Sequence, residues 1–201
     1  MRYMVILLIA LSPMLYAQTA TEQQNAFASS YAHERDQEYA KAVADLTAVY
    51  DVTSYEMNVR LGWLNFNAGD YPKASEYYKK AIELMPYSVE AKLGYGLPLS
   101  ALGNWNEFEI LMKEILKTDP QNTLANYKLG LLYYNRAEYE LAKKYVEKVV
   151  NLYPFDYDSV VLLAWVHLKM EDYRKAKVLF NKSLLIYPHN ESAIEGLKLI
   201  Q

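Results

Sequence analysis

The three histidines are the first candidates for catalytic or metal-binding chemistry in this sequence. None of His33, His167 and His189 has a second histidine or a carboxylate at metal-ligand spacing on one helix face. His167 takes a predicted core position, where we expect a packed or hydrogen-bonded side chain rather than a ligand. The sequence has no cysteine, which excludes disulfides, thiolate nucleophiles and cysteine-based zinc sites. We therefore predict no metal site.

The other signatures of chemistry are also weak. Gly94-Tyr95-Gly96 lies inside a predicted helix with no strand before it, so it does not form a dinucleotide-binding loop. No serine stands in a nucleophile elbow, and no pair of carboxylates is spaced for acid–base work. The sequence therefore predicts a protein that is not an enzyme, with no catalytic residues and no cofactor.

Composition argues against two further classes of protein, disordered chains and nucleic-acid-binding proteins. The hydrophobic content of 52% is enough to fill a core, and a charged content of 22% with a net charge of −3 argues against disorder. The same charge balance predicts no nucleic-acid partner. The 20 tyrosines are unusual, and their rings with polar tips suit packed helices and binding surfaces alike.

Residues 1–17 have the layout of a secretory signal peptide. Arg2 precedes an apolar run from Tyr3 to Leu11, and Ala17 supplies a small residue for cleavage. We predict cleavage after Ala17, leaving a short polar lead at 18–22, with an uncleaved anchor as the alternative. No other segment is apolar enough to span a membrane. The predicted localisation is therefore periplasmic or secreted.

The rest of the chain repeats itself with a period of about 34 residues, a length typical of a helix–turn–helix unit. The segment from Leu61 to Pro86 returns as the segment from Leu129 to Pro154, two steps later. A proline recurs at the same position in each of four repeats. Because proline cannot continue a helix, each of these prolines ends a helix pair. These prolines are Pro86, Pro120, Pro154 and Pro188.

Other positions recur with the prolines. A leucine or tyrosine followed by a small residue stands in the middle of each first helix, as at Leu61-Gly62 and Leu129-Gly130. An aromatic residue marks each turn, as at Tyr71 and Tyr139, and an alanine follows three residues later in most repeats. This pattern resembles the tetratricopeptide repeat family, except that the first tryptophan of the family pattern is missing.

The resemblance implies an all-α fold, an α-α superhelix of about five helix pairs plus a C-terminal capping helix. The predicted solenoid spans residues 23–201. Its helix pairs stack because a single pair cannot bury its apolar face alone. The predicted repeats are 23–54, 55–88, 89–122, 123–156 and 157–190, followed by the cap at 191–201. The step from the first repeat to the second, from Tyr39 to Tyr71, is slightly shorter than the later steps.

The resemblance also implies a site, because the first helices of this family line a concave face that contacts a ligand. At the corresponding positions most residues here are apolar or aromatic, which favours a groove for an extended peptide or an amphipathic helix. The implied partner-binding residues are Tyr31, Val59, Trp63, Phe66, Asn67, Leu97, Tyr127, Leu131, Tyr134, Asn135, Trp165 and Leu168. The alternative is that a tight superhelix, the cap helix or the N-terminal lead covers these rings as ordinary core.

The segment KLGYGLPLSALG at 92–103 departs from the pattern. Gly94 and Pro98 are unexpected inside a helix, and they indicate either a kink that lets a ligand backbone approach Gly94 or a tolerated irregularity.

The function that we predict is a non-enzymatic scaffold or adaptor in the bacterial cell envelope that binds a protein or peptide partner in the groove. Two alternatives stay open. One is a small-ligand or glycan-binding protein that uses stacked aromatic rings, and the other is a module that self-associates into a homo-oligomer.

Overall fold

The computed structural model describes residues 20–200, which are helices joined by short turns with no strand among them. The predicted signal peptide, 1–17, lies outside the described residues. The chain forms two compact units, and the division falls between Asn104 and Trp105. This division lies inside the predicted repeat 89–122, between its two helices.

The described part of unit 1, residues 20–104, contains five helices. Residues 20–22, predicted as part of a polar lead, are already helical. The helices of unit 1 are α1 (20–35), α2 (Tyr39–Thr47), α3 (Tyr55–Asn67), α4 (Tyr71–Leu84) and α5 (Val89–Ala101). The buried core that joins the first pair to α3 consists of Ala26, Ala42, Leu46, Leu61 and Leu64.

Unit 2 contains six helices. They are α6 (Trp105–Thr118), α7 (Thr123–Asn135), α8 (Tyr139–Leu152), α9 (Tyr157–Lys169), α10 (Tyr173–Ile186) and α11 (Glu191–Lys198). One core cluster of this unit centres on Val146 and Val160, and another on Phe180 and Ala193. Helix α11 packs on α10 and α9, which is the position expected of the predicted cap.

Short polar side chains set the start of most helices. The Ser54 hydroxyl accepts a hydrogen bond from the Met57 amide at the start of α3, and the Asp70 carboxylate accepts one from the Lys73 amide at the start of α4. Such caps satisfy amide groups that have no partner inside the helix. They therefore fix where each helix of a pair begins.

The turn inside each helix pair requires a left-handed backbone residue. In unit 1 this residue is glycine in two turns, at Gly69 (φ 83°) and Gly103 (φ 71°). In unit 2 the equivalent residues are Ala137 (φ 60°) and Glu171 (φ 61°), which carry a Cβ atom and are strained there. The first turn of unit 1 also has a residue with a Cβ atom, Gln37 (φ 59°), so the conformational cost differs from turn to turn.

Successive repeats interlock through an aromatic ring on a second helix. The Tyr78 ring of α4 lies against both Gly62 of α3 and Gly94 of α5, and a Cβ atom at Gly62 would lie 2.9 Å from the ring. A Cβ atom at Gly94 would collide with the same ring. Phe180 of α10 fills the equivalent space against Gly196 of α11. Gly94 and Gly196 therefore accommodate the ring of the preceding repeat, whereas Gly62 accommodates the ring of its own repeat.

This packing bears on one expectation from the sequence. The sequence left two interpretations of Gly94 and Pro98 open, a kink that admits a ligand backbone or a tolerated irregularity. The Tyr78 ring occupies the space beside Gly94, which favours the irregularity. Helix α5 runs from Val89 to Ala101 without a break, with Pro98 buried inside it. Pro98 has no N–H, so the Gly94 carbonyl lacks its usual helix hydrogen bond, yet the surrounding packing holds the helical backbone.

Candidate functional site

An aromatic cleft of about 360 Å³ lies in unit 1 on the face shared by α1, α3 and the start of α5. Residues four apart in a helix lie on one face, which brings Tyr55, Val59 and Trp63 of α3 into line. Phe27 and Tyr31 of α1 stand opposite at the same spacing. The lining residues are Phe27, Tyr31, Tyr55, Glu56, Val59, Arg60, Trp63 and Glu90. We call this site the unit 1 cleft.

One carboxylate holds the two walls of the unit 1 cleft together. The Trp63 indole N–H donates to Glu34 Oε1 at 2.5 Å, and Arg60 Nη2 lies 2.6 Å from Glu34 Oε2. Partial burial raises the pKa of Glu34, but the hydrogen bonds from Arg60 and Trp63 outweigh it and hold that pKa below its ordinary value. Glu34 is therefore charged at neutral pH and fixes the orientation of Trp63.

Arg60 forms the floor of the unit 1 cleft. Its side chain is 8% exposed, and its guanidinium carbon lies 3.9 Å from the centre of the Tyr31 ring. The Nε atom is buried without a hydrogen-bond partner among the described residues. A cation stacked on an aromatic face is stabilised by the ring quadrupole. Arg60 therefore stacks on the Tyr31 ring, and Tyr31 stays 53% exposed.

Two further carboxylates stand at the rim. Glu56 accepts a hydrogen bond from the Ser54 hydroxyl at 3.2 Å, and Glu90 accepts one from the Tyr55 hydroxyl at 3.1 Å. Arg60, the cation in the lining, forms its ion pair with another carboxylate, Glu34. The rim is therefore negative, whereas the floor is an internally paired cation.

The other predicted residues of unit 1 lie beside the cleft rather than in its lining. The Phe66 ring centre is 6.4 Å from that of Trp63 and 5.5 Å from that of Tyr71, so it continues the aromatic wall towards the turn. The Asn67 amide donates to the Trp63 carbonyl at 2.8 Å, which ties this donor to its own helix. Leu97 is half-buried on α5.

In unit 2, three predicted residues pack partly into the core. Tyr127, Leu131 and Tyr134 are half-buried against the cluster around Val146 and Val160. Burial raises the pKa of both tyrosine hydroxyls, with Asp158 and Asp156 adding to the effect at Tyr127. Asn135 is exposed at the end of α7. The two rings are therefore only partly accessible to solvent.

A larger cleft of about 700 Å³ opens beside Tyr127, at the turn between α8 and α9. Its walls include Leu124, Leu152, Tyr153 and Phe155, all of which are exposed. The sequence analysis did not identify this cleft, because it lies at the turn edge of the repeats rather than along their first helices. We call it the turn cleft.

The last two predicted residues pack against the cluster around Phe180 and Ala193, with Trp165 half-buried and Leu168 buried. The Trp165 indole N–H donates to the Ser192 hydroxyl of α11 at 2.9 Å, and its ring packs edge-on against Phe180 with centres 5.3 Å apart. Leu168 is 9% exposed within the same cluster. This arrangement matches the alternative in which the cap helix covers groove rings.

Sequence analysis missed part of the unit 1 cleft. Arg60 stands in the position that Gly94 and Gly196 occupy in other repeats, and a charged residue among apolar helix positions was the available signal. Tyr55, in the first turn of α3, lies outside the positions that the family resemblance assigns to ligands. Glu56 and Glu90 stand at the second repeat position, which the resemblance includes but the predicted site did not. His167 is confirmed as a core residue at 2% exposure.

Comparisons with known proteins establish the family. Tetratricopeptide repeat profiles match residues 27–89, 65–130, 124–156 and 157–190, which together cover most of the chain. The chain belongs to the tetratricopeptide repeat family. It is 26% identical over 142 residues to anaphase-promoting complex subunit 3 of Schizosaccharomyces pombe, and this match covers 70% of the chain but only 21% of that longer protein.

Solved structures show the same fold at low identity. A tetratricopeptide repeat protein from Parabacteroides merdae aligns with a TM-score of 0.79 and 17% identity, covering 90% of this chain and 72% of that one. MamA from Desulfovibrio magneticus RS-1 aligns with a TM-score of 0.74 and 20% identity, covering 85% and 97%. The predicted fold class, an all-α superhelix of tetratricopeptide repeats, is confirmed.

Between residues 20 and 200, no group of three or more histidine, aspartate or glutamate side chains is placed to hold a metal ion. No helix in that range has the length and apolar character needed to cross a membrane.

Proposed function

We propose that this protein is a non-enzymatic scaffold that holds a segment of a partner protein in the unit 1 cleft. Interaction between proteins is the usual role of tetratricopeptide repeats, and no constellation for catalysis stands out in the described residues. The observation that carries the proposal is the pair Tyr31 and Trp63. Their rings are 53% and 39% exposed, yet Glu34 and Arg60 hold both in place.

This combination is typical of binding surfaces. Exposed aromatic rings cost free energy in water, and rings that are already fixed lose little conformational entropy when a partner covers them. Tryptophan, tyrosine and arginine are also the residues enriched at energetically dominant contacts. An extended peptide or an amphipathic helix fits a cleft lined along two helices. Phe66 and Leu97 would extend the contact along α3 and α5.

Site-specific crosslinking tests the proposal directly. A photoreactive amino acid replaces Trp63 in one variant and the exposed Glu76 of α4, away from the cleft, in a control variant. We expect irradiation of cells to give a discrete crosslinked protein from position 63 and none from position 76. The same crosslink from both positions, or from neither, would refute binding in the unit 1 cleft.

We further propose that the scaffold works in the bacterial cell envelope, on the strength of the signal-peptide pattern at 1–17. The expected mature N-terminus is Gln18. Fractionation of cells and N-terminal sequencing of the purified protein test this proposal. Recovery of the chain in the cytoplasm with Met1 retained would refute it.

The turn cleft favours a second candidate function, the binding of a small apolar or sugar ligand. Its volume of about 700 Å³ lies within the range of small-molecule sites, and Tyr127, Tyr153 and Phe155 offer rings for stacking. A glycan array and an apolar fluorescent probe would test it. The candidate requires saturable binding that Phe155→Ala abolishes, and unchanged binding in that variant would eliminate it.

A further inference from the structure

The charges of the two units differ in a way that bears on the partner. Residues 20–104 carry eleven carboxylates and seven lysines or arginines, a formal charge of −4. Residues 105–200 carry thirteen of each and are formally neutral. The negative charge of the described chain is therefore concentrated in the unit that contains the aromatic cleft.

Within the unit 1 cleft the excess charge sits at the rim. Glu56 and Glu90 stand one repeat apart and occupy the same place in the first turns of α3 and α5. In unit 2 this repeat position holds Leu124 and Asp158 instead. Both rim carboxylates are exposed, and their hydrogen bonds come from neutral hydroxyl groups. Each therefore presents negative charge to an approaching ligand.

The aromatic lining suits a cation as well. The Tyr31 ring already holds the Arg60 guanidinium at 3.9 Å, which shows that this environment accepts a cation stacked on a ring. The exposed faces of Trp63 and Tyr31 are the best aromatic partners for a further cation. Carboxylates beside aromatic faces strengthen this attraction because both interactions favour positive charge.

Arg60 does not reverse this preference. Its side chain is buried, and its charge is compensated by Glu34, with Nη2 and Oε2 2.6 Å apart. An anionic ligand would have to pass Glu56 and Glu90 to reach the guanidinium and would meet their negative charge first. The accessible surface of the cleft therefore favours a positively charged group.

We propose that the unit 1 cleft selects a partner segment that bears lysine or arginine, because its rim carboxylates, Glu56 and Glu90, and its exposed rings, Tyr31 and Trp63, all favour positive charge. This inference rests on the proposed function, because it specifies the chemistry of the segment that the cleft binds. Apolar residues on either side of the cation would contact Phe27 and Val59.

A peptide selection separates this inference from the function that it rests on. Random dodecapeptides are displayed and selected on the purified full-length protein and on the Trp63→Ala variant. Peptides that bind only the wild-type protein are then synthesised with a fluorescent label. Their affinities are measured by anisotropy, together with analogues in which each lysine or arginine is replaced by glutamine or glutamate.

We expect the peptides that depend on Trp63 to be enriched in lysine and arginine. Replacement of both rim carboxylates, Glu56→Gln with Glu90→Gln, should weaken them by about fivefold, because each exposed charge contributes modestly. The matched control is Glu140→Gln with Glu191→Gln. Glu140 and Glu191 also lie in the first turns of their helices and are exposed. Their replacement removes the same charge away from the cleft, so the peptide affinity should stay within about twofold of the wild-type value.

The outcomes are distinct. Peptides that depend on Trp63 but show no basic enrichment, or that bind the rim variant and the control variant equally, overturn the inference and leave the scaffold function standing. Enrichment of glutamate and aspartate overturns it in favour of an anionic segment that reaches Arg60. A selection with no peptide that depends on Trp63 overturns both the inference and binding in the unit 1 cleft.

Discussion

Trp63 in unit 1 and Trp165 in unit 2 occupy the same repeat position, three repeats apart, and have opposite environments. Trp63 bonds backwards, to Glu34 of the preceding repeat, and stays 39% exposed beside a cleft. Trp165 bonds forwards, to Ser192 of the cap helix, and packs against Phe180. Trp63 therefore lines a surface cleft, whereas the half-buried Trp165 packs against a core cluster of unit 2.

The difference shows that repeat position determines the direction of a side chain but not whether it meets solvent. The neighbouring helix decides exposure, because α11 brings small residues over Trp165 while no described residue covers Trp63 to the same extent. A family rule that assigns ligand contacts by position therefore needs a check on what packs next to each position.

Truncation of the two tryptophans would test the comparison most strongly. We expect Trp165→Ala to lower the free energy of unfolding by about 3 kcal/mol, because it removes a packed ring and leaves a cavity. Trp63→Ala should cost about 1 kcal/mol, since part of the ring is already in water. Urea unfolding followed by circular dichroism measures both. Equal losses would contradict the assignment of one ring to core and the other to surface.

The interlocking glycines provide the next largest effect. Alanine normally stabilises a helix relative to glycine, but Gly196→Ala should destabilise the protein by about 2 kcal/mol because the new methyl group collides with Phe180. Combining it with Phe180→Leu should cost less than the sum of the single changes. Additive losses in thermal unfolding would show that the ring and the glycine are not coupled.

A pH titration compares the two carboxylates that link neighbouring repeats. Hydrogen bonds from Lys113 and Tyr133, together with Arg136, lower the pKa of Glu109 to about 2, and the pKa of Glu34 is also lowered. Because the folded pKa lies below the unfolded value, each carboxylate stabilises the protein above about pH 4.5 and loses that contribution as the pH falls.

We therefore expect Glu109→Gln to cost about 1–2 kcal/mol at pH 7, with Glu34→Gln costing less. The difference between each variant and the wild-type protein should shrink as the pH falls towards 2. Chemical unfolding at a series of pH values measures this trend. A loss that does not depend on pH would mean that the carboxylate charge contributes nothing.

The smallest effect concerns the left-handed turns. Ala137→Gly should stabilise unit 2 by about 0.5 kcal/mol, because relief of the strained backbone exceeds the added entropy of the unfolded chain. Gly69→Ala, the reverse change in unit 1, should destabilise it by about 1 kcal/mol. Opposite signs in paired melting curves are the expected result. Matching signs would show that the turn conformation does not limit stability.

Much of the fold could be predicted because its signals are local. The phase of Pro86 and Pro154 marked the ends of the second helices, and the constant step between repeats set the number of pairs. The exposure of Trp63 and the cover over Trp165 could not be predicted, since both depend on contacts between residues of different repeats. Exposure is a property of packed neighbours rather than of position.

Two features left signals that the sequence analysis did not use. The interval from Tyr78 to Gly94 equals the interval from Phe180 to Gly196, so the pairing of ring and glycine was visible at one spacing. Arg60 stood beside the apolar residues Val59, Leu61 and Leu64, which indicates a charge that needs a partner. The identity of its partner, Glu34, required the structure.

The interlock between Tyr78 and Gly94 also limits how such a chain can gain or lose repeats. The ring and its glycine lie on opposite sides of the proline turn, so a recombination event that cuts at Pro86 separates them. Excision of one whole repeat would place Lys128 opposite the Tyr78 ring in place of Gly94. The repeats are therefore similar in length but not interchangeable, because the ring of one repeat must meet a glycine in the next.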